Sequence, residues 1–505
     1  MRPTICRAVA AIALAALCWS APAAEPAAEP VLGFIKPAKD SPTFIDTATG
    51  RRFTPIGMNY TPHGVQTRER GATRLNWIRF DEDVTERDCA RMAAAGVNVI
   101  RVFLSARSFL PEPGVIPEES LKKTDALVRI ARRYGQRIIF GGPDWWEGPT
   151  PLWQTGQFDR AGLWGKPQLD HLAKFWSAFA ARYRDEPGVF SYSLRNEPQV
   201  PRTIPEEVWH DFLQRKYGTP QAAGRAWGQA INTWAECGRP PDQDNEGDQW
   251  LYDYQLAREF VAYRWARVQT DAIRAADPNH MVTNGGIQWD VPLWRNFPPS
   301  PYGYDGFAPR NFAGLFDYLS VHWYDIKPDH LRDDKSYQTI GEPYFDAFLT
   351  YCRFANKPLV LEEFPNIVLT EPAYASSFYR HVTGALIWEY LNNSTPEGGL
   401  NPGVADMLLT AKAKLAAVDP VSLDGPDVVV WKIDRKKLLT WYADPATFRK
   451  NPAWLQRTGR DSWHDTGGYW IGHFGELRKG GRQVVRIEMD GEGEEFFEEM
   501  YGKQP

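Results

Sequence analysis

Thr85-Glu-Arg-Asp-Cys-Ala-Arg-Met-Ala-Ala-Ala-Gly96 runs directly into Val97-Asn-Val-Ile-Arg-Val-Phe-Leu104. The first half has helical periodicity and closes on a glycine, the residue that most easily ends a helix. The second half is a mostly apolar run, as expected of a strand covered on both faces. The same alternation recurs along the chain. Strand-like runs are read at Pro55–Asn59, Val97–Leu104, Arg137–Gly141, Val189–Leu194, His280–Asn284, Tyr318–His322, Leu359–Glu362 and Ala385–Trp388. Helices are read between them at Thr85–Ala95, Glu119–Tyr134, Gln168–Tyr183, Gln249–Ala276, Tyr344–Ala355 and Pro372–Thr383. Eight such strands predict an α/β fold, a closed (β/α)8 TIM barrel. An open doubly wound sheet is the alternative. It calls for a glycine-rich phosphate turn after the first strand, and Gly57-Met-Asn-Tyr-Thr-Pro-His-Gly64 is not one.

The flanks differ from this core. Arg2 and Arg7 precede the apolar run Ala8–Cys18, and Ala21-Pro22-Ala23 follows as a small-x-small cleavage site. Residues 1–23 therefore read as a secretory signal peptide, with a secreted or periplasmic destination and no membrane contact after its removal. Residues 24–43 read as a linker, and 42–56 as a hairpin turning at Asp46–Gly50. The barrel is assigned to 44–425. A long insertion follows the fourth strand (199–248), with helical pieces at Pro205–Tyr217 and Thr219–Trp227. Insertions there lie on the catalytic face of a barrel. Residues 426–505 read as a small C-terminal β-rich appendage ending in a solvated acidic tail, Glu492–Glu499.

Composition narrows the function. The 505 residues carry a net charge of −5 and are 43% apolar, which excludes disordered, collagen-like and all-membrane chains. The near-neutral charge argues against a nucleic-acid partner. The 21 tryptophans suit the apolar faces of sugar rings, though they would equally fill a large core. Cys89, Cys237 and Cys352 remain after the leader and allow at most one bridge. There is no H-E-x-x-H, P-loop, G-x-S-x-G or zinc spacing, and Asp81–Asp88 lacks the glycine and final Glu of a calcium loop. No cofactor and no metal are expected.

Strand four ends Ser191-Tyr-Ser-Leu-Arg-Asn-Glu-Pro198, and strand seven ends Lys357-Pro-Leu-Val-Leu-Glu-Glu-Phe-Pro365. Each sets a carboxylate at a strand tip, on roughly opposite sides of the barrel mouth. Facing carboxyls about 5–5.5 Å apart are what retaining glycoside hydrolysis requires. A single Glu at a strand end would more simply be an ion-pair partner. Asn196-Glu-Pro198 is more particular, because Pro198 stops the strand and forces the turn.

These motifs resemble clan A glycoside hydrolases, closest to family 5, over about residues 44–425. The resemblance implies Glu197 as acid/base and Glu363 as nucleophile. Pro365 replaces the glycine that usually follows. Glu362 is assigned to the opposite strand face by the period-two rule. The resemblance further implies Arg101 as partner of the nucleophile, Asn196 as donor to a sugar hydroxyl, and His322 and Tyr324 lining the cleft. Trp388 is implied as the floor of the central sugar subsite. The usual His after strand three is missing; Gly141-Gly-Pro-Asp-Trp-Trp-Glu147 stands there instead. Trp145 and Trp146 either stack on a sugar or cap the barrel, and Trp289 is open to the same two readings. A second segment, Phe212-Leu-Gln-Arg-Lys-Tyr-Gly-Thr219 with Ala226-Trp-Gly228, resembles family 42 β-galactosidases, as does Pro151-Leu-Trp153.

The expectation is an exported retaining β-glycosidase acting on a polysaccharide or oligosaccharide substrate. The many tryptophans favour endo action on β-glucan or β-mannan. The alternatives are an exo-acting β-galactosidase or β-mannosidase, and a non-catalytic carbohydrate-binding barrel.

Overall fold

The computed structural model describes residues 30–39, 41–60, 77–144, 164–201, 203–239, 249–287, 306–307, 311–322, 352, 355–365, 383–390, 400–416, 428–434, 484–490 and 494–503. Three short strands come first: β1 (Ile35–Pro37), β2 (Phe44–Asp46) and β3 (Arg52–Phe53), paired antiparallel in that order. Eight parallel strands then close into a barrel: β4 (Ile56–Asn59), β5 (Val99–Ser105), β6 (Arg137–Asp144), β7 (Val189–Asn196), β8 (Met281–Ile287), β9 (Leu319–His322), β10 (Leu359–Pro365) and β11 (Gly384–Trp388). All eight predicted strands are present in the predicted order.

The helices between them are α1 (Glu82–Ala94), α2 (Ala106–Phe109), α3 (Glu118–Arg133), α4 (Lys166–Tyr183), α5 (Glu206–Tyr217), α6 (Pro220–Trp227) and α7 (Gln249–Ala276). Helix α1 starts where Asp81 accepts the Val84 N–H at 3.0 Å, and Gly96, at φ 90°, takes up the left-handed turn after it. Strands β5, β6 and most of β7 are buried throughout, which explains their continuous apolar runs. The helices predicted at 344–355 and 372–383 lie outside the described residues, Cys352, Ala355 and Thr383 apart.

Two corrections concern the flanks. The linker reading fails at β1: Ile35 is buried and packs with Phe44 against Val99, Ile139, Phe190, Met281, Tyr318, Val360 and Leu386. Those residues lie at or near the starts of the barrel strands, so the small sheet plugs the end opposite the mouth. The acidic tail is likewise not solvated throughout. After helix α8 (Pro402–Ala416) and the parallel pair β12 (Val428–Asp434) and β13 (Val484–Asp490), Glu494–Gly502 forms a last helix, α9. Its Phe497 and Met500 are fully buried, and its acidic face holds Arg267 through Glu498 and the Gly314 N–H through Glu494. Phe497 and Met500 lie three apart, the helical spacing that the run of glutamates obscured.

Among the described residues, no helix is long and apolar enough to cross a membrane. Trp77, Trp176, Trp209 and Trp265 are fully buried, and Trp164 and Trp227 nearly so. Much of the tryptophan content therefore serves the core.

Candidate active site

The mouth of the barrel is organised by one buried cation. Arg101 projects inward from β5 with no solvent exposure. It donates to Glu363 Oε1 at 2.7 Å, to Asn196 Oδ1 at 3.0 Å and to Asn59 Oδ1 at 3.1 Å. Its Nε lies 3.2 Å from Glu362 Oε2, and its guanidinium sits 4.4 Å from the centre of the Phe103 ring. Burial alone would discharge a guanidinium, but Glu362 and Glu363 outweigh it and raise its pKa. Asn59 is fixed in turn by donating to the Glu362 carbonyl at 2.8 Å. The sequence showed Asn59 only as the last residue of a strand.

Room for the guanidinium depends on Gly285 of β8. A Cβ there would stand 2.4 Å from the Arg195 carbonyl oxygen and 2.8 Å from Arg101 Nη2. The same glycine's carbonyl accepts the Glu197 N–H at 2.7 Å. Glu197 follows β7 with φ 47°, a left-handed conformation that is uncommon outside glycine and often found at functional sites. Asp144, at the end of β6, accepts the Asn196 N–H at 3.2 Å and lies 4.0 Å from Arg195. Its fully buried carboxylate thus braces the tip of β7. Arg101 thus fixes the orientation of the Asn196 amide through its Oδ1.

His322 at the end of β9 joins the two carboxylates. Its Nδ1 lies 2.9 Å from Glu197 Oε1 and 3.5 Å from Glu363 Oε1. Burial, with Arg101 close by, pushes His322 down to about 3 against the pull of Glu363. The imidazole is therefore neutral at ordinary pH, and its contact with Glu197 is a hydrogen bond rather than an ion pair. The Glu197 side chain keeps 30% exposure toward the cleft, yet burial raises its pKa over the opposing effect of Arg101. One carboxyl is thus disposed to stay protonated, while the other faces a guanidinium that stabilises its anion. One ligand-capable atom from each of Glu197, His322 and Glu363 lies within 4.8 Å of the others. A metal ion could fit such a spacing, but the Arg101 charge against Glu363 works against a second cation.

Glu362 requires a correction. Its side chain faces the barrel interior, fully buried, as does that of Glu363, which is 3% exposed. The register of β10 shifts against both neighbours, between Leu361 and Glu363 on the β9 side and between Leu361 and Phe364 on the β11 side. A β-bulge there breaks the period-two rule and turns two successive residues inward.

Trp388 ends β11, partly exposed, with its ring edge-on to Phe103 at 6.0 Å. Tyr324, Trp145, Trp146 and Trp289 lie outside the described residues. The insertion after β7 is tied to the first turns of α7. Asp253, fully buried, accepts from Lys216 at 2.8 Å, Tyr217 at 2.5 Å, Trp227 at 2.8 Å and Gln249 at 2.8 Å. Helix α7 starts at the barrel mouth, so α5 and α6 stand at its rim. Lys216, Tyr217 and Trp227 of the segment resembling family 42 all take part in this staple.

Comparison with known proteins agrees with the geometry. The family model for cellulase, glycosyl hydrolase family 5, matches residues 57–367. A curated relative, β-galactosidase YesZ of Bacillus subtilis (strain 168), is 24% identical over 314 residues, covering 54% of this chain and 46% of the relative. The chain thus spans less than half the length of that protein. Among solved structures, a β-galactosidase from the Antarctic haloarchaeon Halorubrum lacusprofundi aligns with TM-score 0.63 and 17% identity, over 86% of this chain and 66% of the other. The exo-β-1,4-mannosidase Op5Man5 from Opitutaceae bacterium strain TAV5 aligns with TM-score 0.51 and 18% identity, over 89% and 72%. At such identities the structural likeness speaks to the fold.

Proposed function

The chain belongs to the cellulase family, glycosyl hydrolase family 5, and on that premise we propose that it is a retaining β-glycosidase with Glu363 as nucleophile and Glu197 as acid/base. The observation that carries this reading is the close approach of the two carboxyls, one oxygen of each lying within 4.8 Å of the other. Retaining enzymes hold their carboxyls about 5–5.5 Å apart, whereas inverting enzymes need about 6.5–9.5 Å to admit a water. Glu363, ionised against Arg101, attacks the anomeric carbon. Glu197 gives its proton to the departing oxygen, and a glycosyl ester forms on Glu363. Glu197, now anionic, takes a proton from water as that water displaces the ester. The raised pKa of Glu197 suits the first step, and its exposure to the cleft suits the second.

For the substrate, action on terminal β-galactosyl or β-mannosyl units is favoured over endo action on β-glucan or β-mannan. Three observations support this. The buried tryptophans remove much of the argument for a long row of sugar subsites. The insertion stapled by Asp253 follows the strand that carries Glu197, and the relatives named above include β-galactosidases and an exo-mannosidase. Arg2, Arg7 and the apolar run Ala8–Cys18 support export. The test is sugar release by the purified protein from 4-nitrophenyl β-D-galactoside, β-D-mannoside and β-D-glucoside and from mannan, β-glucan and galactan. Release from the aryl galactoside or mannoside alone supports chain-end action. Mixed oligosaccharides from a polymer would restore the endo reading. Silence throughout, with sugar binding intact, would leave a binding barrel.

A further inference from the structure

Glu362 is a second carboxylate on the same buried guanidinium, one layer deeper than the nucleophile. Every described polar contact on its carboxylate comes from a donor. Ser193 Oγ donates to Oε2 at 2.9 Å, Tyr318 OH donates to Oε1 at 3.0 Å, and Arg101 Nε lies 3.2 Å from Oε2. Ser191 lies 2.8 Å behind the Tyr318 hydroxyl and can supply it with a proton, freeing Tyr318 to donate onward. Two hydroxyl donors and one guanidinium charge meet at this carboxylate, and all three favour its anion against its full burial.

The proposed reaction changes the charge of Glu363 twice. In the first step, a Glu363 oxygen bonds to the anomeric carbon, the glycosidic C–O bond breaks, and the Glu197 proton leaves with the departing oxygen. The Glu363 anion becomes a neutral ester. In the second step, water adds to the anomeric carbon, the ester C–O bond breaks, Glu197 recovers a proton, and the anion returns. With Glu363 as its only counter-ion, Arg101 would be a bare buried cation for half of each cycle, a costly state. We propose, building on the two-step reading above, that Glu362 is a positioning residue, the permanent counter-ion that keeps Arg101 neutralised while Glu363 becomes an ester and reverts.

A second consequence concerns reactivity. Two carboxylates sharing one cation repel each other, so Glu362 prevents Arg101 from over-stabilising the nucleophile anion. The groups around the pair include Asn59 on β4, Arg101 on β5, Ser193 and Asn196 on β7, Glu197 just after β7, Tyr318 just before β9, and His322 on β9. Of these, only Arg101 carries a permanent charge. Burial raises the Glu362 pKa, against Arg101 and the two hydroxyls. The two carboxylates titrate as a coupled pair.

The test uses the full chain and the aryl β-glycoside that the wild type cleaves best, with kcat/KM measured across pH. Glu362→Gln is expected to lower kcat/KM tenfold or more. It is also expected to move the acid limb down by about one pH unit, because a like charge beside Glu363 is gone. Glu362→Asp, which keeps the charge, returns the limb toward its wild-type position. Tyr318→Phe removes a donor from the Glu362 anion and moves the limb up by about half a unit. Opposite shifts from two neighbouring substitutions are not what a packing defect produces. Glu362→Gln with wild-type kcat/KM and an unmoved limb would overturn the proposal, as would a loss of activity with the limb fixed and no rescue by Asp. If Glu362→Gln does not fold, Tyr318→Phe decides alone, and an unmoved limb overturns the proposal. A wild type inactive on every glycoside would refute the retaining-hydrolase reading and this inference together. An active wild type silenced by Glu363→Gln, with Glu362→Gln unaffected, would remove this inference alone.

Discussion

Arg101→Met is the most revealing single perturbation of the barrel core. It keeps most of the side-chain volume and removes only the charge and its donors. In the native protein that guanidinium meets Glu363 at 2.7 Å and Glu362 at 3.2 Å, both buried. Removing one partner of a buried ion pair costs about 3–5 kcal/mol, because the other charge is left uncompensated. Here two carboxylates are left, so the loss at pH 8 belongs at the upper end of that range. Both then favour their protonated forms, with folded-state pKa values above the about 4.3 of an unfolded Glu. A carboxyl whose folded pKa is raised stabilises the fold below its unfolded pKa and loses that contribution as pH rises through the folded value. The deficit of the variant relative to wild type should therefore be small near pH 4.5 and grow toward pH 8. Urea unfolding of both proteins at a series of pH values measures it. Loss of the Asn196 and Glu363 contacts should also cost about 10²–10³ in kcat/KM, the usual effect of deleting a preorganised electrostatic donor. A variant within about 0.5 kcal/mol of wild type at pH 8, or one whose deficit does not depend on pH, would refute the buried charge cluster.

Gly285→Ala forces a Cβ against the Arg195 carbonyl and Arg101 Nη2, so kcat/KM should drop about 10²-fold, with stability lowered by about 1–3 kcal/mol in a denaturant titration. The basic limb of the kcat/KM profile should lie above the ordinary Glu range, because burial raises Glu197 and its acid form is the active one. Activity should fall as pH rises through that value, and Glu197→Gln should abolish the limb along with most turnover of unactivated substrates. Asp253→Ala leaves Lys216, Tyr217, Trp227 and Gln249 without their shared acceptor and should destabilise the protein by about 3 kcal/mol. If the insertion shapes only the rim, KM on longer substrates should change more than kcat on aryl glycosides.

The barrel was legible because parallel strands buried on both faces must be apolar from end to end. Runs such as Val99–Ser105 and Arg137–Asp144 announce that burial without any partner in view. Glu197, Asn196 and Arg101 were legible because each sits beside a residue of special geometry or in a strand otherwise apolar. The face of Glu362 was not, because it depends on a register shift between three strands, and a period-two rule assumes there is none. Asn59 and Gly285 were missed for a related reason. Their importance lies in what reaches them from other strands, Arg101 above all, and no local pattern encodes that. The tryptophans were ambiguous as composition, since a count cannot separate Trp209 and Trp265 in the core from Trp388 at the mouth. The last helix was hidden because its glutamates dominate the text while Phe497 and Met500 carry the packing.

The central claim is that Glu363 becomes covalently glycosylated. Incubating the protein with a 2,4-dinitrophenyl 2-deoxy-2-fluoro-β-glycoside of the preferred sugar should trap that ester. Peptide mass mapping then locates it. The account predicts one added fluorosugar per chain, on Glu363, and none on Glu362 fully buried beside it. A label on Glu362 or elsewhere, or no label from a sugar the protein demonstrably hydrolyses, would contradict it.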